Sequence, residues 1–253
     1  MAVVVTAAES ERDQALVAGA LAAAGLAEGD RLALVAGSSP EYLAVALGAL
    51  RCGVVPVLLH PGLTPTELDA LLADAEPAAV LRGAEVEAFV HAAREAGATA
   101  ALAPYPRTRP MLYTSGTTGV PKGVWTGLLP DADAEALALD EREAWGFCAD
   151  DVHIVASPLH HSAPMRFAGG VLLAGGSVVI PGPFDATVFV DALETHRPTN
   201  AFLVPAHLQR LFAHEDATGR ALPLESFRRV AHAGSACPEG LKRRALDAFP
   251  ADS

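Results

Sequence analysis

The chain has 253 residues, 51% hydrophobic and 19% charged, so it can bury one large core or two smaller ones and does not have the composition of a disordered or low-complexity segment. Its formal net charge of -12, with no basic run, excludes a phosphate-backbone reader, so no nucleic-acid partner is expected. Cys52, Cys148 and Cys237 lie far apart without a CxxC pair, which excludes both a disulfide framework and an encoded zinc site and fits a reducing cytoplasm.

The opening MAVVVTAAESERD meets acids directly after its short apolar run and does not read as a secretory signal. Leu32 to Val35 is strand-like. Ser38, with Pro40 and Glu41 following, has the spacing of a capping box and predicts a helix that Gly53 closes. The apolar stretch Tyr42 to Leu59 carries Arg51, Gly53 and Pro56, so it divides into that helix and a buried strand, Val54 to Leu59, rather than a membrane span. Thr64, Pro65 and Glu67 repeat the start signal for a helix to about Ala75, and Ala78 to Leu81 is a further strand. Asp131 to Glu143 reads as a solvated helical face. Strands are then expected at Val152 to Ala156 and Val178 to Ile180, a helix capped by Asp185 that stops before Pro198, and a strand Ala201 to Val204. Pro205 opens a helix through Phe212, Val230 to Ala233 is strand-like, and Pro238 sits in the first turn of a helix ending near Phe249. Alternating strands and helices predict a layered α/β fold with largely parallel sheets, either one domain or two packed subdomains of about residues 1–110 and 111–253.

The segment MLYTSGTTGVPKGVW carries the most chemical information: an apolar strand, a loop of hydroxylated residues and glycines, a Pro-Lys-Gly turn and a returning strand at Val124-Trp125. Gly116 and Gly119 permit positive φ and close backbone approach, so successive N–H groups can converge on an anion. Thr114, Ser115, Thr117 and Thr118 add hydroxyl donors, and Lys122 adds a mobile cation. A P-loop requires Gly before the Lys and Ser or Thr after it, whereas Pro121 and Gly123 flank Lys122; a GxGxxG dinucleotide fingerprint is also absent. From composition alone, polyphosphate grip and an ordinary Ser/Thr/Gly turn stand as alternatives.

YTSGTTGVPKG is similar, almost residue for residue, to the signature loop of the adenylate-forming superfamily: acyl-CoA synthetases, peptide-synthetase adenylation domains and luciferases. The resemblance continues through GDRLALVAGSSPEYLAVALGALRCGVVPVLLHPGLTP, SPLHHSAPMRFAGGVLLAGGSVVIPGPFDA, HRPTNAFLVPAHLQRLF and RVAHAGSACPEGL, in the family's order. It implies part of the large N-terminal AMP-binding domain, with Thr114, Ser115, Gly116, Thr117, Thr118, Gly119 and Lys122 on the ATP phosphates and Gly234, Ser235 and Ala236 at the adenine.

On the residues alone, His160 and His161 read first as structural histidines, and Phe202 and Val204 as buried strand residues; the resemblance reverses that order, because His161 matches the position that faces the substrate and is taken as catalytic, with His160, Phe202 and Val204 as acyl-pocket residues. Cys237 reads as a packing residue. The resemblance further implies Mg-ATP and coenzyme A, and an apolar carboxylic acid, fatty or aryl, since the PLHHSAPMRFAGG context resembles acyl- and aryl-CoA ligases more than amino-acid adenylation domains. The family's magnesium-ligating Tyr-Gly-x-Thr-Glu segment and small C-terminal domain with its Lys are not among these residues. Two function classes follow: a cytoplasmic AMP-forming acyl-CoA ligase, incomplete in this chain or completed by a separate polypeptide, and a non-catalytic nucleotide-binding or scaffold protein of the same fold.

Overall fold

A computed structural model describes residues 2–114, 122–251 and 253. In chain order the elements are β1 (Val3–Thr6), α1 (Ala7–Ala23), β2 (Arg31–Val35), α2 (Pro40–Cys52), β3 (Val55–Leu59), α3 (Pro65–Ala75), β4 (Ala79–Arg82), α4 (Glu85–Ala96), β5 (Met111–Thr114) and β6 (Lys122–Val124). They continue with α5 (Asp131–Trp145), β7 (Val152–Ile154), α6 (Ser162–Leu173), β8 (Ser177–Ile180), α7 (Ala186–His196), β9 (Asn200–Leu203), α8 (Pro205–Thr218), β10 (Arg229–His232) and α9 (Glu239–Ala248). The expected α/β fold with largely parallel sheets is present: one sheet has the order β4-β2-β3-β5-β6, parallel except at β6, and the other β1-β8-β7-β9-β10, parallel except at β1.

Two compact units result, and their boundaries differ from a division near residue 110. The loop unit comprises 8–146 and 159–162, because β5 pairs with β3 and brings β6 with it; the second unit comprises 1–7, 147–158 and 163–253, because β1 adds to β8.

In the loop unit the central strands β2 and β3 are buried along nearly their whole length. Ala33, Val35, Val55, Val57 and Leu59 meet Leu71 and Ala75 of α3 on one face, and Leu32, Leu34 and Leu58 are buried on the other, the double-faced burial that parallel strands require. Thr64 forms the expected capping box: its Oγ1 accepts from the Glu67 N–H at 3.3 Å, and Glu67 Oε2 accepts from the Thr64 N–H at 2.8 Å. At α2 the cap moves by one residue: Ser39, not Ser38, accepts the Tyr42 N–H at 3.0 Å, which leaves Ser38 for another partner. Gly53 closes α2 with φ 83, a conformation that suits glycine. The acidic helix α5 buries only Ala134, as a solvated face should.

The second unit packs Ile154, Val179, Ala201 and Leu203 against Phe189 and Leu193 of α7 and Leu208, Leu211 and Phe212 of α8. Asp185 caps α7 by accepting from the Thr187 and Val188 N–H groups at 3.0 and 3.1 Å. Two sequence boundaries shift here. Val204 lies past β9 as the residue preceding α8, and Pro238 precedes rather than opens α9. Among the described residues no helix is long and apolar enough to cross a membrane.

Candidate functional site

In the loop unit, β2, β3 and β5 run parallel and end at one edge of the sheet, the edge at which open α/β sheets bind ligands. Ser38 follows β2, His60 follows β3, and the hydroxyl- and glycine-rich segment follows β5. Ser115, Gly116, Thr117, Thr118 and Gly119 lie outside the described residues, but the stem from which they rise is defined. Thr114 pairs with Lys122, Tyr113 with Gly123 and Leu112 with Val124 in an antiparallel ladder, which makes the expected returning strand. Lys122 is exposed, so its ammonium is solvated and available to an anion.

The segment 159–162 is tied to the same edge: the Leu159 N–H donates to Ser38 Oγ at 2.9 Å. This tie places the His160 ring edge-on to His60, with centroids 4.7 Å apart, and 4.3 Å from the ring of His161. His160 is buried, and neither of its ring nitrogens has a hydrogen-bond partner among the described residues, whereas His161 is exposed. Burial pushes the His160 imidazole down to about 4, helped by His161 and His60, and burial with His60 also lowers His161. His160 and His161 are therefore neutral at physiological pH. They present uncharged imidazole to their surroundings, able to donate or accept a hydrogen bond and free of fixed charge. His60 was not singled out in the sequence; the available signals were its place directly after a buried strand and inside a stretch that carries the resemblance.

In the second unit, β9 and β10 are parallel and bring Val204 and the turn after His232 to one end. Gly234 adopts φ 93, and a Cβ there would come within 3.1 Å of Val204 Cγ1, so the turn lies against Val204 because it lacks a side chain. Ser235 is exposed and Ala236 follows it at the surface. Phe202 is a core residue, its ring 5.3 Å from that of Phe167. The Val204 N–H donates to His207 Nδ1 at 3.3 Å, and the His207 ring stacks on Phe184 at 4.3 Å. Cys237 lines a hollow of about 90 Å³ with Lys242, Leu246 and Phe249. Among the described residues no group of three or more His, Cys, Asp or Glu side chains converges as a metal site.

Residues 3–252 match the family described as AMP-binding enzyme. The chain belongs to that family. It is 32% identical over 258 residues to a feruloyl-CoA synthase of Amycolatopsis sp, covering 96% of this chain and 52% of that protein. It is 30% identical over 264 residues to the 3-hydroxybenzoate–CoA/4-hydroxybenzoate–CoA ligase of Thauera aromatica, covering 91% of this chain and 49% of the relative. Among solved structures, ATP-bound MatB from Rhodopseudomonas palustris superimposes with a TM-score of 0.74 at 27% identity, over 96% of this chain and 52% of that one. VinN has the same fold, with a TM-score of 0.78 at 22% identity. The chain spans about half the length of the curated relatives it matches.

Proposed function

We propose that this chain acts in the ATP-dependent activation of a carboxylic acid to an acyl-adenylate and then to an acyl-CoA thioester. The observation that carries the reading is the stem Thr114↔Lys122 at the ligand-binding edge of a parallel sheet, in a chain whose residues 3–252 match the AMP-binding family. Of the two acid classes expected, the names of the relatives, a feruloyl-CoA synthase and a hydroxybenzoate–CoA ligase, support an aryl acid.

On this reading the carboxylate oxygen attacks the α-phosphorus, the bond to the bridging oxygen breaks, and pyrophosphate leaves with the negative charge. Thr114 to Thr118 and Lys122 donate to that growing charge on this reading, and in general donors preorganised for such a charge lower the barrier more than donors that must reorganise in water. Mg²⁺ enters with ATP as part of the substrate. Gly234, Ser235 and Ala236 meet the adenine on this reading, their turn resting on Val204 at Gly234. His161, exposed and neutral, faces the acyl group, and buried His160 backs it. The thiol of coenzyme A then displaces AMP from the acyl carbonyl. Three cysteines far apart in sequence, odd in number and without a CxxC pair, support a cytoplasmic setting.

The test is pyrophosphate release and hydroxamate formation with Mg-ATP and a panel of hydroxycinnamates, benzoates, octanoate and amino acids. Turnover confined to aryl acids is the expected result. Mg-ATP binding without turnover on any acid would favour the non-catalytic nucleotide-binding reading, and turnover on octanoate alone would replace aryl by fatty acids.

A further inference from the structure

The stem of the loop is short: β6 has three residues and forms the edge of its sheet, so its own ladder is a weak footing for a phosphate-gripping segment. The footing is reinforced from α3. The Tyr113 hydroxyl donates to Asp74 Oδ2 at 2.6 Å, with the Leu71 carbonyl oxygen 3.1 Å away. The phenol reaches α3 by lying across Gly123, where a Cβ would come within 3.1 Å of Tyr113 Cζ and Oη and 2.0 Å of Met111 Cε. Arg31 holds the same end of α3 through its Nη1–H to the Ala75 carbonyl at 2.7 Å, and its guanidinium lies 5.7 Å from the ring centroid of Trp125, just past β6. The Trp125 Nε1–H in turn donates to Thr108 Oγ1 at 2.7 Å.

Asp74 itself is exposed and packs into no core, so shielding apolar surface does not account for its placement. Its carboxylate faces the Tyr113 hydroxyl one residue before the end of β5. We infer that Asp74 is a positioning residue for the phosphate loop: by fixing Tyr113 it sets the place and spacing of Thr114 and Lys122, the two backbone positions from which the loop departs. This rests on the reading that the loop holds the ATP polyphosphate. An aspartate oxygen is suited to the task, because a hydrogen bond to a charged acceptor is shorter and stronger than a neutral one.

The test is Mg-ATP and AMP affinity by calorimetry on the chain as it stands, together with thermal midpoints, for Asp74→Ala, Asp74→Asn, Tyr113→Phe and the Asp74→Ala/Tyr113→Phe double variant. A positioning role predicts that Asp74→Ala and Tyr113→Phe each weaken Mg-ATP about three- to tenfold, the effect of losing one such bond. AMP affinity should stay within twofold, because AMP has no β- or γ-phosphate. The double variant should be no weaker than the worse single, and Asp74→Asn, whose amide oxygen still accepts, should recover most of the loss. Unchanged Mg-ATP affinity in both single variants, additive losses, or equal losses for ATP and AMP would overturn the inference and leave the nucleotide reading standing. A wild-type chain with no Mg-ATP affinity would overturn both.

Discussion

The Leu159 N–H donates to Ser38 Oγ at 2.9 Å, joining residues 121 positions apart within one compact unit. The bond exists because the cap of α2 is Ser39, which frees the hydroxyl of Ser38 to accept a distant amide. It anchors the segment that carries His160 and His161. Ser38→Ala leaves that amide without its acceptor at a cost of about 1 kcal/mol, which lowers the thermal midpoint by about 2–4 °C in a chain of this size. The same variant should move the imidazole resonances of His160 and His161 while leaving that of His153 in place; a change confined to the midpoint would show that the bond does not orient the histidines.

His153 supplies a pH dependence of known sign. It is fully buried, its Nδ1–H donates to Asn200 Oδ1, and burial pushes its pKa from 6.5 down to about 4. The unfolded chain therefore takes up the proton first. The contribution of neutral His153 is complete above pH 6.5 and is lost as the pH falls toward 4, at most about 3 kcal/mol in all. His160 and His207, each also lowered to about 4, act in the same direction. His153→Gln should be less stable than wild type at pH 7.5 but lose less on going to pH 5, as read from urea midpoints; an equal loss would remove His153 from the account.

Gly234 is where backbone and site requirements meet. Its φ of 93 is strained for any L side chain, and a Cβ would press on Val204 Cγ1. Gly234→Ala should cost about 1–2 kcal/mol from backbone strain, and Gly234→Val should in addition weaken AMP at least tenfold. An unaltered AMP affinity in the valine variant would exclude the turn from the adenine site.

How much of this was legible in the sequence depended on which signals were local. The box at Thr64 and Glu67, the αL glycine at 53 and the Asp185 cap are contacts between residues three or fewer apart, or conformations that one residue type favours, and each appears where it was expected. Helix α1 gave no such signal, because its buried side includes Ser10, Asp13 and Gln14. Those polar groups are satisfied from elsewhere: Arg94 donates to Asp13 at 2.6 Å and Arg51 to Gln14 at 2.9 Å, so the apolar stripe that marks a helix is interrupted. Strand β1 is four residues with an exposed face and is defined only by its pairing with β8. In the site, the loop was legible from composition and resemblance, whereas Ser38, His60 and Asp74 take their places through hydrogen-bond or edge-on ring partners 39 to 121 residues away, which spacing does not encode.

His161→Ala separates acid recognition from nucleotide binding. The residue is exposed, so its loss should change the thermal midpoint by less than about 2 °C. The apparent affinity for the acid in pyrophosphate release should weaken about tenfold or more while Mg-ATP affinity stays constant. Equal weakening of both would place His161 outside the acyl site.

The central claim is that the segment between Thr114 and Lys122 holds a polyphosphate, and the most direct measurement compares Mg-ATP with AMP on the wild-type chain and on Lys122→Ala. The account predicts Mg-ATP bound at least about tenfold more tightly than AMP, with most of that difference lost in the variant and its thermal midpoint unchanged, since Lys122 is exposed and its charge acts on the ligand. Equal affinity for the two nucleotides in the wild type, or a difference that survives removal of the lysine, would contradict it.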